Sequence, residues 1–188
     1  MRIRRATLDD AAEIAAIYAP FVRDTATTFE VSPPTADEMR RRIAEIIPNY
    51  PWLVAEDDNH LAGYVYGNQH KERAAYQWSA DVTIYLRPAY HRQGLGRRLY
   101  TLLFDLLRRQ GFHSLYAGLT LPNAGSQALH RAMGMTEIGV YREAGWKFDS
   151  WHDVMWMGMS FDSSKAPKAP PVPFSELDIA AIDTSFGD

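Results

Sequence analysis

The 188-residue sequence contains no cysteine. The chain therefore has no disulfide, no thiolate ligand for a metal and no cysteine nucleophile. It also lacks any apolar run approaching the roughly 20 residues needed to span a bilayer. Its charged N-terminus lacks the apolar middle section of a signal peptide. These absences exclude thiol chemistry and predict a cytoplasmic protein with no membrane partner.

The sequence also has no strong excess of either positive or negative charge. Twenty Lys and Arg residues stand against 23 Asp and Glu residues, a formal net charge of −3 at pH 7. Nucleic-acid-binding proteins use a strong positive field against phosphate backbones, so no nucleic-acid partner is expected. No cluster of side chains has the spacing of metal ligands, so no metal is expected either. The 46% of hydrophobic residues suffices for an ordinary globular core.

Strand-like and helix-like patterns alternate along most of the chain. Thr35 and Glu38 have the spacing of a capping box, which predicts a helix that continues to Pro48. Leucines recur along one side of a longer helix between Gly94 and Gly111. An earlier helical pattern is expected to end at Pro20. Interleaved elements of both kinds predict an α/β or α+β fold, a sheet with helices on its faces.

The composition changes near residue 163, where Pro and Lys become frequent before an acidic and apolar end. We expect one domain over residues 1–162, followed by a Pro-rich linker and tail over residues 163–188. The tail is either a partly disordered C-terminus or a segment that docks on its own or a neighbouring subunit.

Residues 83–97 form the most informative segment. They read as a strand, a basic turn with two glycines and the start of the leucine-faced helix. Glycines let the backbone approach a ligand, and the first N–H groups of a helix are unpaired donors at its positive end. These donors suit the binding of a pyrophosphate, and Arg92 and Arg97 add positive charge. The third glycine of the dinucleotide fingerprint is absent, since Leu99 occupies its place, and an ordinary strand-to-helix turn is the alternative.

The same segment resembles motif A of the GNAT N-acetyltransferase superfamily, Gln/Arg-x-x-Gly-x-Gly/Ala, although His91 replaces the usual Gln or Arg. Residues 121–135 resemble motif B of that superfamily. A closer resemblance, in residues 50–56, 71–78, 110–112 and 151–154, is to the phosphinothricin and methionine sulfoximine acetyltransferase branch. Members of this branch use acetyl-CoA to acetylate the α-amino group of small glutamate-like amino acids, and they are usually homodimers.

The resemblance implies a GNAT fold, in which about four helices flank a mixed, mostly antiparallel sheet. It also implies that acetyl-CoA is the cosubstrate and that its pyrophosphate and arm contact motifs A and B. The implied cofactor-binding residues are Ile84, Tyr85, Leu86, Arg92, Gln93, Gly94, Leu95, Gly96, Arg97, Asn123 and Ser126.

Three side chains are the catalytic candidates. By its match to a Glu of the branch, Asp81 is the expected base that takes a proton from the amine. His130 of motif B is the expected acid for the departing thiolate, and Tyr100 is the reserve acid. A backbone N–H near Ile84 or Tyr85 is the expected oxyanion donor. The alternatives are a carboxylate in an ion pair for Asp81 and a packing role for His130 and Tyr100.

The acidic group of the substrate is expected to contact Lys71 and Arg73. In the branch this contact is often made across the dimer interface. Phe29 and Tyr76 are expected to line the substrate pocket. The alternatives are that Lys71 and Arg73 are loop charges in solvent and that Phe29 and Tyr76 belong to the core. Together these residues predict an N-acetyltransferase that transfers acetyl directly in a ternary complex. The rival functions are acetylation of a peptide or protein N-terminus and non-catalytic binding of acyl-CoA.

Overall fold

The computed structural model describes residues 1–58, 60–161, 166 and 169–178. Seven strands form one sheet, and their bounds are β1 Arg2–Arg5, β2 Trp52–Asp57, β3 His60–Gln69, β4 Ser79–Leu86, β5 Ser114–Thr120, β6 Thr136–Lys147 and β7 Ser150–Ser160. The strand order is β1-β2-β3-β4-β5-β7-β6. Every neighbouring pair is antiparallel except β4 and β5, which run parallel.

Within the described ranges, four helices cover the sheet: α1 Ala11–Asp24, α2 Ala36–Ile46, α3 Leu95–Gln110 and α4 Ala124–Ala132. Short 3₁₀ turns occupy Leu8–Asp10, Ala74–Tyr76, Pro88–Tyr90 and Phe174–Glu176. This architecture confirms the predicted mixed sheet with four flanking helices. None of the helices in the described ranges is both long and apolar enough to cross a membrane.

Two of the helices begin as their sequences predict. The Thr35 hydroxyl accepts the backbone N–H of Glu38 at 3.1 Å, which satisfies one of the free donors at the start of α2. Helix α3 lies between Gly94 and Gly111, whose φ angles are +81° and +99°. Glycine adopts this left-handed conformation without the steric cost that a Cβ imposes, so the two glycines set both ends of α3.

The sheet separates two apolar cores. Leucines of α3, including Leu99 and Leu103, pack with Ala80 and Val82 of β4 on one face. Helices α1 and α2 cover Trp52 and Tyr64 on the other face. Because side chains alternate along a strand, Asp81, Thr83 and Tyr85 of β4 lie on the α1/α2 face.

One expected helix end is wrong. Pro20 lies inside α1, which continues to Asp24. Proline lacks the N–H that an interior helical position donates, and this normally ends a helix. Here Ile17 and Tyr18 before the proline and Val22 after it are all buried against the sheet. Their burial outweighs the loss of one hydrogen bond.

The described part of the tail packs on the domain. The Phe174 side chain is only 1% exposed and belongs to the core on the α3 face. The Arg5 guanidinium lies 4.4 Å from the centre of its ring. Gln110 fixes the segment through its carbonyl, which accepts the Val172 N–H at 2.8 Å, and its side-chain amide, which donates to the Val172 carbonyl at 2.8 Å. The expected boundary at residues 162 and 163 lies outside the described residues.

Replacing Phe174 by Ala should lower the free energy of unfolding by about 3 kcal/mol, because a buried ring leaves a cavity. Val172→Ala, a change at a partly exposed position of the same segment, should alter it by about 0.5 kcal/mol or less. Urea denaturation of both variants measures the difference. Equal stability of the Phe174→Ala variant and the unchanged protein would show that the segment does not dock.

Candidate active site

An opening in the sheet lies between β4 and β5. The strands pair only where Ser79–Asp81 meet Ser114–Tyr116. Among the described residues, neither strand has a pairing partner on this side beyond that point, and a cavity of about 100 Å³ lies between them. Its lining comes from both faces of the sheet: Thr27, Val82, Thr83, Ile84, Tyr85, Tyr100, Ala117, Gly118, Leu119, Asn123, Ser126 and His130. We call this cavity the wedge.

Strand β4 presents unpaired backbone groups to the wedge. Directly after β4, the N–H of Arg87 donates to the Ala62 carbonyl at 2.9 Å, on the side of β3. Backbone groups alternate between the two sides of a strand. The N–H of Tyr85 therefore points to β3, whereas those of Ile84 and Leu86 point into the wedge. Of the two expected oxyanion donors, only the N–H of Ile84 points into the wedge.

The turn before α3 has the geometry of an anion site. Gly94 forms the N-cap of α3 in a left-handed conformation, and Arg92 before it also has a positive φ of +60°. Gly96 in the first helical turn lies close to α4, since a Cβ there would lie 3.0 Å from a methyl group of Leu129. Arg92 and Arg97 are exposed. The turn thus combines free helix N–H groups with two cations in solvent.

Two other side chains of the turn contact the backbone. The Gln93 side-chain amide donates to the Ala89 carbonyl at 2.7 Å. His91 Nε2 lies 3.1 Å from the Leu86 carbonyl and donates to it, because a carbonyl oxygen only accepts. These contacts hold the turn against the end of β4. Leu95, the first residue of α3, is buried in the core rather than exposed to the turn.

Tyr100 and His130 form a buried pair at the α3 side of the wedge. The Tyr100 hydroxyl lies 3.0 Å from His130 Nε2, and His130 Nδ1 lies 2.7 Å from the Ser126 carbonyl. Since that carbonyl only accepts, Nδ1 carries the hydrogen, and Nε2 of the neutral ring accepts the Tyr100 hydroxyl. Asn123 fixes the start of α4 by accepting the Ser126 N–H at 3.2 Å.

Burial determines the protonation of this pair. Desolvation lowers the pKa of His130, whose side chain is nearly inaccessible, and the bond to the Ser126 carbonyl opposes the shift. Burial also raises the pKa of the Tyr100 hydroxyl far above its usual range. Both side chains are therefore neutral near pH 7, and the proton between them belongs to Tyr100.

Asp81 lies beside the wedge on the α1/α2 face. Its Oδ1 is 2.7 Å from Nδ1 of His70, the residue that follows β3. Burial raises the pKa of Asp81, while the hydrogen bond from His70, the His70 charge and the Lys71 charge oppose this shift. The carboxylate is thus more basic than an exposed aspartate and has a defined partner.

A second cavity, of about 480 Å³, opens beside Asp81 between the sheet and helices α1 and α2. Polar and aromatic side chains line it: Tyr18, Glu30, Arg42, Glu45, Asn49, Tyr50, Trp52, Tyr64, Tyr66, Asn68, Gln69, Thr83 and Tyr85, with Met39 and Ile46. Arg42 is held by two contacts to Glu30, at 2.7 and 3.1 Å. Thr83 and Tyr85 line both cavities.

The four expected substrate-binding residues line neither of these cavities. Lys71, Arg73 and Tyr76 are exposed in the loop between β3 and β4. Tyr76 places its ring 5.8 Å from that of His70, which keeps it close to Asp81. Phe29 packs over Gly145 of β6, where a Cβ would lie 2.3 Å from the ring. Tyr76, through His70, and Lys71, through its charge, therefore act near Asp81, whereas Phe29 lies at the β6–β7 hairpin.

His70 is the residue of this site that the sequence analysis missed. Its signal was local, because His70 directly precedes Lys71 in the segment that resembles the acetyltransferase branch. No sequence periodicity reveals that it contacts Asp81, 11 positions further along the chain. In the described part of the chain, no group of three or more His, Asp and Glu side chains has the arrangement of a metal site.

Comparison with known proteins identifies the class. A family described as an acetyltransferase (GNAT) domain matches residues 3–156. The chain therefore belongs to the GNAT acetyltransferases and is an enzyme of that class, which confirms the resemblance seen in motifs A and B.

Two named enzymes and one solved structure are similar to the chain over most of its length. The chain is 36% identical to a phosphinothricin N-acetyltransferase of Streptomyces viridochromogenes, over 94% of this chain and 96% of the relative. It is 32% identical to an L-methionine sulfoximine/L-methionine sulfone acetyltransferase of Salmonella typhimurium, over 90% and 99% of the two chains. A crystal structure of a phosphinothricin acetyltransferase from Sinorhizobium meliloti in complex with acetyl-CoA superposes with a TM-score of 0.86. That pair is 30% identical and aligns over 92% of this chain and 96% of the other.

The neutral state of His130 predicts a pH dependence of stability. Its folded pKa lies below the ordinary value of 6.5, so the unfolded chain binds more protons as the pH falls through that value. The His130 contribution to the free energy of unfolding is therefore present above pH 6.5 and is lost as the pH falls toward the folded pKa. His130→Asn should flatten this decline in urea titrations between pH 8 and 5. His60→Asn, which removes an exposed histidine, is the control. A decline of the same slope in the His130→Asn variant would contradict the assignment.

Proposed function

We propose that this protein transfers the acetyl group of acetyl-CoA to the α-amino group of a small polar amino acid, of the phosphinothricin or methionine sulfoximine kind. The transfer is direct, in a ternary complex. The observation that carries the proposal is the wedge, which is lined by the Tyr100–His130 pair and lies next to Asp81, a carboxylate of β4 that itself lines neither cavity. The named substrates of two relatives support the choice of amine.

The residues around the wedge fit an acyl-CoA. The free N–H group of Leu86 suits an amide group of its arm, which would extend β4 as a further strand does, and the N–H of Ile84 is left for the thioester carbonyl. The first N–H groups of α3, with Arg92 and Arg97, suit the pyrophosphate. Asn123 and Ser126 line the wedge and would contact the arm there. When bound there, acetyl-CoA supplies a thioester carbonyl next to β4.

Asp81 prepares the nucleophile. An α-ammonium group must lose a proton before its nitrogen can attack a carbonyl carbon, and a positioned carboxylate accepts that proton. Asp81 is about 1.5 Å shorter than the Glu of the related branch, so a bridging water carries the proton where direct contact fails. The raised pKa of Asp81 favours this transfer.

The remaining groups stabilise the charges that follow. The N–H of Ile84 donates to the carbonyl oxygen as the nitrogen–carbon bond forms. As the carbon–sulfur bond breaks, the sulfur takes the hydroxyl hydrogen of Tyr100, which His130 Nε2 holds in place until then. The attacking nitrogen loses its second proton as the amide forms, and a proton returns to the Tyr100 oxygen. The first proton leaves from Asp81 to solvent, so one ammonium group and one thioester give one amide, one thiol and one proton.

A homodimer completes the proposal. Four large aromatic side chains on the β6–β7 hairpin are each more than half exposed: Tyr141, Trp146, Phe148 and Trp151. Exposed apolar patches of this kind are typical of protein interfaces. Lys71 and Arg73 lie in an exposed loop near Asp81, where a second subunit would close the acceptor site around the carboxylate of the substrate. The proposed compartment is the cytoplasm.

One assay tests the function and its rivals. Thiol release from acetyl-CoA is measured with a panel of amino acids, phosphinothricin, methionine sulfoximine and peptides. We expect turnover with the small amino acids and little with peptides. Turnover with peptides alone would favour an N-terminal acetyltransferase. Binding of acetyl-CoA without turnover on any amine would favour a non-catalytic module.

Asp81→Asn should reduce turnover at pH 7 by ~100-fold or more, because the amide accepts no proton. Activity should recover in part as the pH rises and free amine accumulates. The amide oxygen of Asn still accepts the hydrogen of His70, so the fold is preserved. Asp105→Asn, on the exposed side of α3, is the matched control and should leave turnover unchanged. A pH dependence identical to that of the unchanged protein would remove Asp81 from the base role.

Arg73→Ala should raise the KM of an acidic amino acid more than it lowers kcat, because the lost contact binds substrate and transition state alike. An amine without an acidic group should show little change. Steady-state kinetics with both substrates measures the contrast. An equal loss for the two substrates would argue against a carboxylate contact.

A further inference from the structure

His70 is held rigidly against Asp81. Its ring stacks on Tyr116 of β5, with centroids 4.3 Å apart and planes inclined by 24°. The rings of Tyr76 and Trp156 contact its edges at 5.8 and 6.0 Å. These contacts come from β5, β7 and the loop before β4, so the imidazole is fixed from three sides. Its side chain is 12% exposed and that of Asp81 is 30% exposed.

The register of β3 and β4 explains the contact. Asn68 of β3 pairs with Asp81 of β4. Two residues later the chain leaves β3, and His70 turns its ring back over the sheet to reach the carboxylate. The 2.7 Å distance joins Nδ1 to Oδ1 alone. Within the described ranges, the Asp81 carboxylate forms no other hydrogen bond.

The chemistry of the two groups fixes the direction of this bond. An ionised carboxylate has no hydrogen to donate, so Nδ1 of His70 carries the hydrogen and Oδ1 accepts it. One carboxylate oxygen is thereby occupied. Oδ2 keeps its lone pairs for another hydrogen.

We propose that His70 is the positioning residue of Asp81: its Nδ1–H binds Oδ1 and leaves Oδ2 to take the proton of the acceptor amine. This role rests on the proposed function, because it requires that Asp81 is the base. His70 does not itself touch the reacting atoms. It fixes the rotamer of the carboxylate and keeps it ionised in a partly buried place.

The surroundings of Asp81 define the expected effect of losing this contact. His70 and Lys71 favour the charged carboxylate, whereas burial disfavours it. Three tyrosines are the other titratable groups near the carboxylate: Tyr66 of β3, Tyr116 of β5 and Tyr50 before β2. Burial raises the pKa of Tyr66 and of Tyr50, so neither hydroxyl is charged near pH 7, and none of the three replaces the hydrogen bond lost from Asp81. Without the His70 donor, the pKa of Asp81 rises further.

Two substitutions separate the donor from the ring. His70→Phe keeps an aromatic ring for stacking but removes the donor. It should lower kcat about 10-fold or more and move the acidic limb of the kcat/KM profile upward by about one pH unit. His70→Asn retains a side-chain N–H near the position of Nδ1 and should recover part of both effects. His60→Asn, in the distant β2–β3 hairpin, is the control and should match the unchanged protein.

A profile of the His70→Phe variant that coincides with that of the unchanged protein would overturn the proposal. So would a shift of equal size in the His70→Phe and His70→Asn variants, since packing alone would then explain it. If the His70→Phe variant does not fold, the pH profiles of His70→Asn and His70→Gln are compared instead. Of these two side chains, only Asn keeps an N–H near the position of Nδ1. A smaller upward shift of the acidic limb of kcat/KM in His70→Asn than in His70→Gln supports the proposal. Identical pH profiles of the two variants overturn it.

A measurement without turnover separates this proposal from the proposed function. The ¹⁵N chemical shifts of the His70 ring, assigned by their loss in His70→Asn, report which nitrogen carries hydrogen in the resting protein. A protonated Nδ1 supports the proposal, and a bare Nδ1 overturns it. Absence of acetyl transfer to any amine would overturn the proposed function, and with it the positioning role, while the ring shifts would still report the contact itself.

Discussion

The early end of the pairing between β4 and β5 is the feature on which the rest of the site depends. Three residues of each strand pair, and the next residues of β4 then present N–H and C=O groups to a cavity. Ile84 and Leu86 are only half-buried, so their free backbone groups are accessible to a ligand that supplies hydrogen-bond partners. The N-terminus of α3 lies at the end of the turn that leaves β4. One continuous segment thus provides both a polar edge and an anion site.

Alternation along β4 places Asp81, the proposed proton acceptor, on the opposite side of the sheet from Tyr100 of α3, the proposed proton donor. Asp81 is on the α1/α2 face with His70, and Tyr100 with His130 is on the α3 side. Under the proposed function, the amine reaches the wedge from one face and the thioester from the other. The separation keeps the carboxylate away from the neutral hydroxyl–imidazole pair, whose neutrality depends on burial.

Local sequence signals predicted the elements that local chemistry determines. The two glycines around α3 and the Thr35 cap fixed helix ends because each acts within a few residues. Long-range packing explains the failures. Pro20 stays helical because its neighbours are buried against the sheet. The composition of the tail left docking as one of two alternatives, and the burial of Phe174, which depends on residues distant in the chain, decides between them. The candidate base and the motif-B residues came from resemblance. The contact with His70 could not, since it depends on strand register and on rings from two other strands.

Hydrogen exchange at β4 tests the central claim most directly. The amides of Ile84 and Leu86 point into the wedge, whereas those of Thr83 and Tyr85 point to β3 and serve as internal references. Addition of acetyl-CoA to the purified protein should slow exchange at Ile84 and Leu86 and leave the two references nearly unchanged. Exchange at Ile84 and Leu86 that is as fast with acetyl-CoA as without it would contradict the account.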